Sequence, residues 1–204
     1  MIPCQKKAFA MRTALFAPLL LIPALGGCIN LGLGTSKSPP TLLTLSADSK
    51  PVDGSTISGP TDSALAVLEP ETEAKLAVLR VPVTIDPTHV AYLKQAQWVE
   101  RPTRLFQHLL AETLHARGKR LVVEGDRLPH GPTLSGRLID FGFDASAGAV
   151  VVRFDAIRRL PDGTTQTRRF EASVNHTDAD VGQVGPALNQ AANQVAKAVA
   201  DWID

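Results

Sequence analysis

The stretch from residue 133 to residue 203 constrains the fold of this 204-residue chain more than any other part. Its pattern predicts strands at 133–144, 149–160 and 164–175, then a helix at 181–203. Alternate residues of the strands are apolar, the period of a half-buried sheet. Asp162-Gly163 marks a turn between the last two strands. Val150, Val152, Phe154 and Ala156 share one face, as do Phe170, Ala172 and Val174. The two sets can face one core only if paired positions have an even sum, so the connecting loop must be odd. A three-residue loop, Pro161-Asp162-Gly163 with Gly163 left-handed, meets that condition. It predicts Phe154 opposite Phe170 and Val152 opposite Ala172. On the other face it predicts Arg153 opposite Glu171 and Asp155 opposite Arg169. In the closing helix Val181, Val184, Leu188, Ala191, Val195, Ala198, Val199 and Trp202 recur at three- and four-residue steps. Asn189, Gln190, Asn193, Lys197 and Asp201 lie mostly opposite, and Asp180 with Gln183 reads as a capping box.

Upstream the signals are weaker. Residues 41–46 suit a short strand, and 51–63 are dense in turn formers and read as a surface loop. The apolar run 76–83 reads as a central strand, with Pro82 limiting its pairing. Residues 88–99 are ambiguous between a strand and a hairpin. A helix is predicted at 103–117, with Pro102 at its start, Gly118 at its stop and Leu105, Phe106, Leu109, Leu110 and Leu114 on its apolar face. A short strand follows at 121–123. The expected fold class is α/β (α+β): a mixed sheet of about five strands with two main helices packed on it.

The first 28 residues address the chain rather than fold it. Lys6, Lys7 and Arg12 precede the apolar stretch 13–25, which is too short to span a bilayer and carries Pro18 and Pro23. Met11 is an alternative start to Met1. Leu25-Gly26-Gly27-Cys28 resembles a bacterial lipobox, which makes Cys28 the expected lipidation site and 1–27 a lipoprotein signal peptide. Each buried methylene contributes about 0.8 kcal/mol, so several acyl chains anchor stably where one is marginal. Ile29 stands where an Asp would signal inner-membrane retention, which favours the outer membrane. The chain would then be lipid-anchored and face the periplasm. Residues 28–75 read as lipidated tether, short strand and loop, and 76–204 as the domain.

Charge and chemistry exclude several classes. Net charge is +1. All three basic residues of 1–27 leave with the signal, so the remainder carries 18 basic against 20 acidic residues, a net −2. That balance offers no field for nucleic acid. The five histidines form no metalloprotease pair, no Gly-x-Ser-x-Gly elbow is present, and Cys28 is the only cysteine after the signal. His108 and His115 are seven apart on one helix with no carboxylate in sequence to complete a site. Asp140 and Asp144 flank two phenylalanines and read as exposed strand residues. Arg158-Arg159 and Arg168-Arg169 read as a solvated edge that blocks strand pairing. No catalytic residue, metal ligand or cofactor site is assigned, beyond covalent lipid on Cys28.

The order of elements resembles one known family. A lipobox, a tether and a TLLTL strand precede Leu79-Arg-Val-Pro-Val-Thr-Ile-Asp-Pro-Thr-His-Val-Ala-Tyr92, then Trp98 ahead of a Pro-led helix. This pattern, over about 76–203, is similar to the ABC-type transport auxiliary lipoproteins, including the paraquat-inducible protein C-type. Ile85-Asp86-Pro87-Thr88-His89-Val90 stands for the family's turn but lacks its Arg before the proline. The resemblance implies a compact mixed-sheet domain, similar to the N-terminal domain of the Tol-system β-propeller protein. It also implies a non-enzymatic docking component of an MCE-domain (mammalian-cell-entry-like) ABC lipid transporter in the Gram-negative envelope, and leaves homo-oligomers open. A lipid- or ligand-binding carrier lipoprotein is the alternative. Tyr92 and Trp98 are the expected partner-binding positions.

Overall fold

The computed structural model describes residues 42–125, 131–175 and 180–204. In chain order the elements are β1 (Leu42–Leu43), β2 (Leu65–Val67), β3 (Glu71–Thr72), β4 (Arg80–Asp86), β5 (His89–Trp98), α1 (Pro102–Ala116), β6 (Val122–Glu124), β7 (Thr133–Asp144), β8 (Ala149–Arg159), β9 (Thr165–Asn175) and α2 (Val181–Ile203). The nine strands form one mixed sheet. The expected five is too few because β2 and β3, of three and two residues, leave no period in the sequence.

β7, β8 and β9 form an antiparallel meander. Its last hairpin has the register that the odd loop dictates: Phe154 opposite Phe170, Val152 opposite Ala172, Arg153 opposite Glu171 and Asp155 opposite Arg169. The Leu160 N–H donates to Thr164 O at 2.8 Å, and Gly163, at φ +85°, donates to Leu160 O at 3.0 Å. A side chain at Gly163 would be strained in that left-handed conformation.

β7 is the hub. One edge pairs with β8, and the other receives β2, β3 and β4 in succession, all parallel to it: Ala66 against Thr133, Glu71 against Arg137, Val83 against Phe143. β6 lies beyond β2, β5 pairs antiparallel with β4, and β1 lies beyond β5. The folded region therefore starts well before residue 76. Leu65, Ala66 and Val67 are fully buried, and β1, β2 and β3 come from the segment expected as tether, strand and loop. The apolar run at 76–83 is only half strand. Leu76 is buried in a single 3-10 turn, and pairing begins at Arg80. Residues 89–98 resolve into one strand, bulged where its register jumps between Pro82–Tyr92 and Arg80–Gln97. Gln95 takes φ 59° within that bulge.

Both helices cover the same face of the sheet. α2 lies on β8 and β9, and α1 on α2, β6 and β2. Their termini follow the sequence signals. Pro102 opens α1, Gly118 ends it at φ +67°, and the Asp180 carboxylate accepts from the Gly182 N–H at 2.8 Å. Between sheet and helices Phe106, Phe141, Phe154 and Trp98 interlock, with ring centroids 5.2–6.2 Å apart. No helix among the described residues is long and apolar enough to cross a membrane.

One reading of α2 changes in three dimensions. Asn193 is only 6% exposed, whereas Ala198 faces solvent. Asn189 accepts from the Ser46 N–H at 2.8 Å. Asn193 accepts from the Asp48 N–H at 2.8 Å and donates to Ser46 O at 2.9 Å. Two asparagines one turn apart thus strap the extended chain 46–48 to α2, satisfying backbone groups that have no strand partner.

Candidate partner-binding face

Neither helix covers the other face of the sheet, which is bordered by the 3-10 turn around Lys75. Its composition follows from the same period-2 alternation that builds the core. Val150, Val152, Phe154 and Ala156 of β8 point inward, so Val151, Arg153 and Asp155 point outward. On β7 the phase would drift without a correction. Leu138 pairs with Phe154 but Asp140 pairs with Arg153, so Ile139 is an inserted residue. That bulge lets Leu138 and Phe141 both reach the core while Arg137 and Asp140 both face outward.

Two rows of charge cross this open face, each perpendicular to the strands. In the first, Lys75 Nζ lies 2.7 Å from Asp140, whose other oxygen meets Arg153, and Arg153 Nε donates to Glu171 at 2.7 Å. In the second, Glu73 lies 3.3 Å from Arg137, Arg137 is in register with Asp155, and Arg169 grips Asp155 through two bonds of 2.6 and 2.7 Å. Each row alternates in sign from one strand to the next. Hydrogen bonding to Glu171 raises the Arg153 pKa above its ordinary value. Hydrogen bonding from Arg169 holds Asp155 below the usual carboxylate range. The arginine doublets are likewise engaged: Arg158 donates to Trp202 O at 2.9 Å, and the Arg168 guanidinium sits 5.0 Å from the centre of the Phe170 ring.

Beside the first row is a groove of about 270 Å³, lined among others by Lys75, Asp140, Arg153, Asp86, Val90 and Asp144. It exists because β4 and β7 approach closely. A Cβ on Gly142 would stand 2.4 Å from Pro82 O. Two turns shape its far end. Asp86 accepts from the Thr88 and His89 N–H groups at 2.8 and 2.9 Å, and Asp144 accepts from the Ser146 N–H and hydroxyl at 2.9 and 2.7 Å. Hydrogen bonds from Thr88 and from Ser146, respectively, lower the two carboxylate pKa values. The β4–β5 hairpin holds apolar surface out to solvent, with Ile85 50% and Val90 43% exposed.

Tyr92 belongs to this face. It is half-buried, its ring lies 4.6 Å from the Arg80 guanidinium, and its hydroxyl donates to Lys75 O at 3.4 Å. Trp98, expected beside it as a partner contact, is 1% exposed and packs on Phe141 inside the core. The β5 bulge turns it inward, since Leu93, Ala96 and Trp98 all point to the helices despite their uneven spacing. Cys28 lies outside the described residues. His108 does find carboxylates, which sequence spacing missed because they come from outside its helix. Its Nδ1 meets Glu124, and its Nε2 is 3.7 Å from Glu100. Among the described residues no group of three His, Cys, Asp or Glu is placed to hold a metal ion.

A match over most of this domain decides the family: the ABC-type transport auxiliary lipoprotein component family covers residues 43–200. The chain belongs to that family. The match begins at β1 and ends in α2, so the short early strands are part of the family's domain. No curated protein matches the chain significantly. Crystal structures that share its fold include two of low identity. One, of an uncharacterized protein, has a TM-score of 0.66 at 15% identity, over 82% of this chain and 100% of that one. The other, protein XCC0632 from Xanthomonas campestris, a DUF330 protein, has a TM-score of 0.65 at 19% identity, over 80% of this chain and 94% of that one. At such identities the likeness carries the fold alone. The auxiliary-lipoprotein domain is therefore a mixed sheet with two helices on one side and a charged, grooved face on the other.

Proposed function

We propose that this auxiliary lipoprotein is a non-catalytic docking subunit, acylated at Cys28 and held at the periplasmic face of the outer membrane, that engages an MCE-domain protein of an ABC lipid transporter. The family match over 43–200 is the observation that carries the reading. The open sheet face supports it: a groove, exposed Val90 in its wall, and Tyr92 under Arg80 offer apolar contacts framed by fixed charges. The tether 29–40 has an expected reach on the order of 20 Å, which keeps the domain near its membrane. The groove sets Lys75, Asp86, Asp140, Asp144 and Arg153 among apolar residues, a mixed lining that suits a protein surface better than an acyl chain and favours docking over lipid carriage.

Capture of partners by the tagged full chain from solubilised envelope tests the docking. Recovery of an MCE-domain protein or its permease complex is expected, and Val90→Asp should weaken it. Recovery of phospholipid with no protein partner would favour the carrier. Acyl labelling tests the anchor: Cys28→Ala should abolish both labelling and lipoprotein processing, and labelling that survives the substitution refutes the lipobox.

A further inference from the structure

We propose that β9 is a self-complementary edge, through which two copies of this chain pair antiparallel about Phe170, with Arg169 of each copy opposite Glu171 of the other. Among the described residues β9 pairs only with β8, over Thr165–Asn175, and it contains neither proline nor glycine. Such an edge is a template for another strand unless its side chains forbid pairing.

The hairpin fixes which backbone groups are free. Leu160 and Thr164 are a hydrogen-bonded pair, so in an antiparallel ladder the even-numbered residues of β9 bond to β8. Thr165, Thr167, Arg169, Glu171, Ser173 and Asn175 then direct their N–H and C=O outward, and their side chains lie on the open face. A second β9 can bond only to these residues.

Charge then selects the register. With the two-fold axis at Phe170, Arg169 faces Glu171 of the partner, Thr167 faces Ser173, and Thr165 faces Asn175. Moving the axis one residue puts Arg169 against Arg169 or Glu171 against Glu171, which is destabilising. The charge rows of each copy also join. The first ends on β9 with Glu171 and the second with Arg169, two residues away. Across the axis the sequence becomes Lys75, Asp140, Arg153, Glu171, then Arg169, Asp155, Arg137 and Glu73 of the partner, with signs alternating throughout. The charges that repel a foreign strand therefore accept a second copy. On the inner face Phe170, already packed under Trp202, meets its own equivalent. Antiparallel addition continues the sheet without turning it over, so both grooves open on the same side.

The test is a charge exchange between chains, read as mass by sedimentation or light scattering on the full chain in excess detergent micelles. The wild type should form a dimer that weakens as salt rises. Arg169→Glu and Glu171→Arg each put like charges at both central pairs and should each raise the dimer Kd about tenfold or more. An equimolar mixture of the two variants should recover the dimer, because only the mixed pair restores opposite charges at both positions. A folding defect would not be rescued by mixing. Thr167→Pro removes an outward N–H without touching the β8 ladder and should also block pairing while unfolding cooperatively like the wild type. A monomeric wild type, a dimer insensitive to either charge reversal, or a mixture that stays monomeric would each overturn the proposal. Partner capture from the envelope is a separate readout and can succeed or fail independently.

Discussion

The two faces of β8 are made from one stretch of eleven residues and do opposite work. Inward, Val150, Val152, Phe154 and Ala156 are fully buried beneath α2 and against Phe106. Outward, the partly exposed Val151 and Arg153 line a groove, and Arg153 and Asp155 belong to the two charge rows. Neighbouring side chains thus differ in what their loss removes. An inward residue is held by shape and dryness, which tolerate little change. An outward one is held by pairs in high dielectric, each of modest worth. The face that contributes least to stability is therefore free to carry recognition.

Substitutions at adjacent residues give the sharpest contrast. Val152→Asp buries a carboxylate among aromatic rings, at a cost of several kcal/mol set against a typical total of about 5–15 kcal/mol. It should eliminate cooperative unfolding in urea. Val151→Asp, one residue away, should cost about 1 kcal/mol or less in the same measurement. Equal losses at both positions would break the comparison.

Gly142 of β7 lies against Pro82 of β4, and Gly142→Val should force β4 away from β7. We expect a loss of about 1–3 kcal/mol from the urea midpoint, with faster hydrogen exchange at Val83 and Thr84. Arg153→Leu should cost about 1 kcal/mol or less, because Asp140 keeps Lys75 and Glu171 turns to solvent. A loss as large as that of a core truncation would show that the charge rows are structural.

The smallest effect is in acid. The Asp155 carboxyl is held below its ordinary 3.8 by Arg169, so its contribution to stability is present above pH 3.8 and fades as pH falls through the lower folded value. Arg169→Leu should remove that part of the acid dependence, leaving a flatter plot of urea midpoint against pH below 3.8 than the wild type gives. The pair is well exposed and screened, so the difference is small and needs low salt to be seen.

Much of the meander and both helices was legible because their signals are local. A three-residue loop sets the parity of β8 and β9, alternation sets the faces, and Pro102, Gly118 and Asp180 set helix ends. The polar members of the open face were legible as types but not as a cluster. Arg153–Glu171 and Asp155–Arg169 follow from the hairpin register, whereas Lys75 and Glu73 reach their partners from about 65 residues away in sequence, as separations of 65 and 64 show. Tyr92 and Trp98 could not be told apart, because the bulge that turns one inward leaves no mark that alternation can read.

Sequence alone determined the hairpin register, the two amphipathic helices, the address carried by the first 28 residues as an expectation, and the family resemblance. Each rests on contacts or motifs spanning a few residues, where propensity and turn geometry dominate. Only the tertiary structure decided the existence of β2 and β3, the pairing of β1 and β6, the strap from Asn189 and Asn193, and the inward turn of Trp98. Strands of two or three residues have no period of their own. β1 forms because β5, and β2 and β3 because β7, present unpaired backbone groups that must be satisfied, and β6 then adds to β2; that demand exists only once the long strands are assembled.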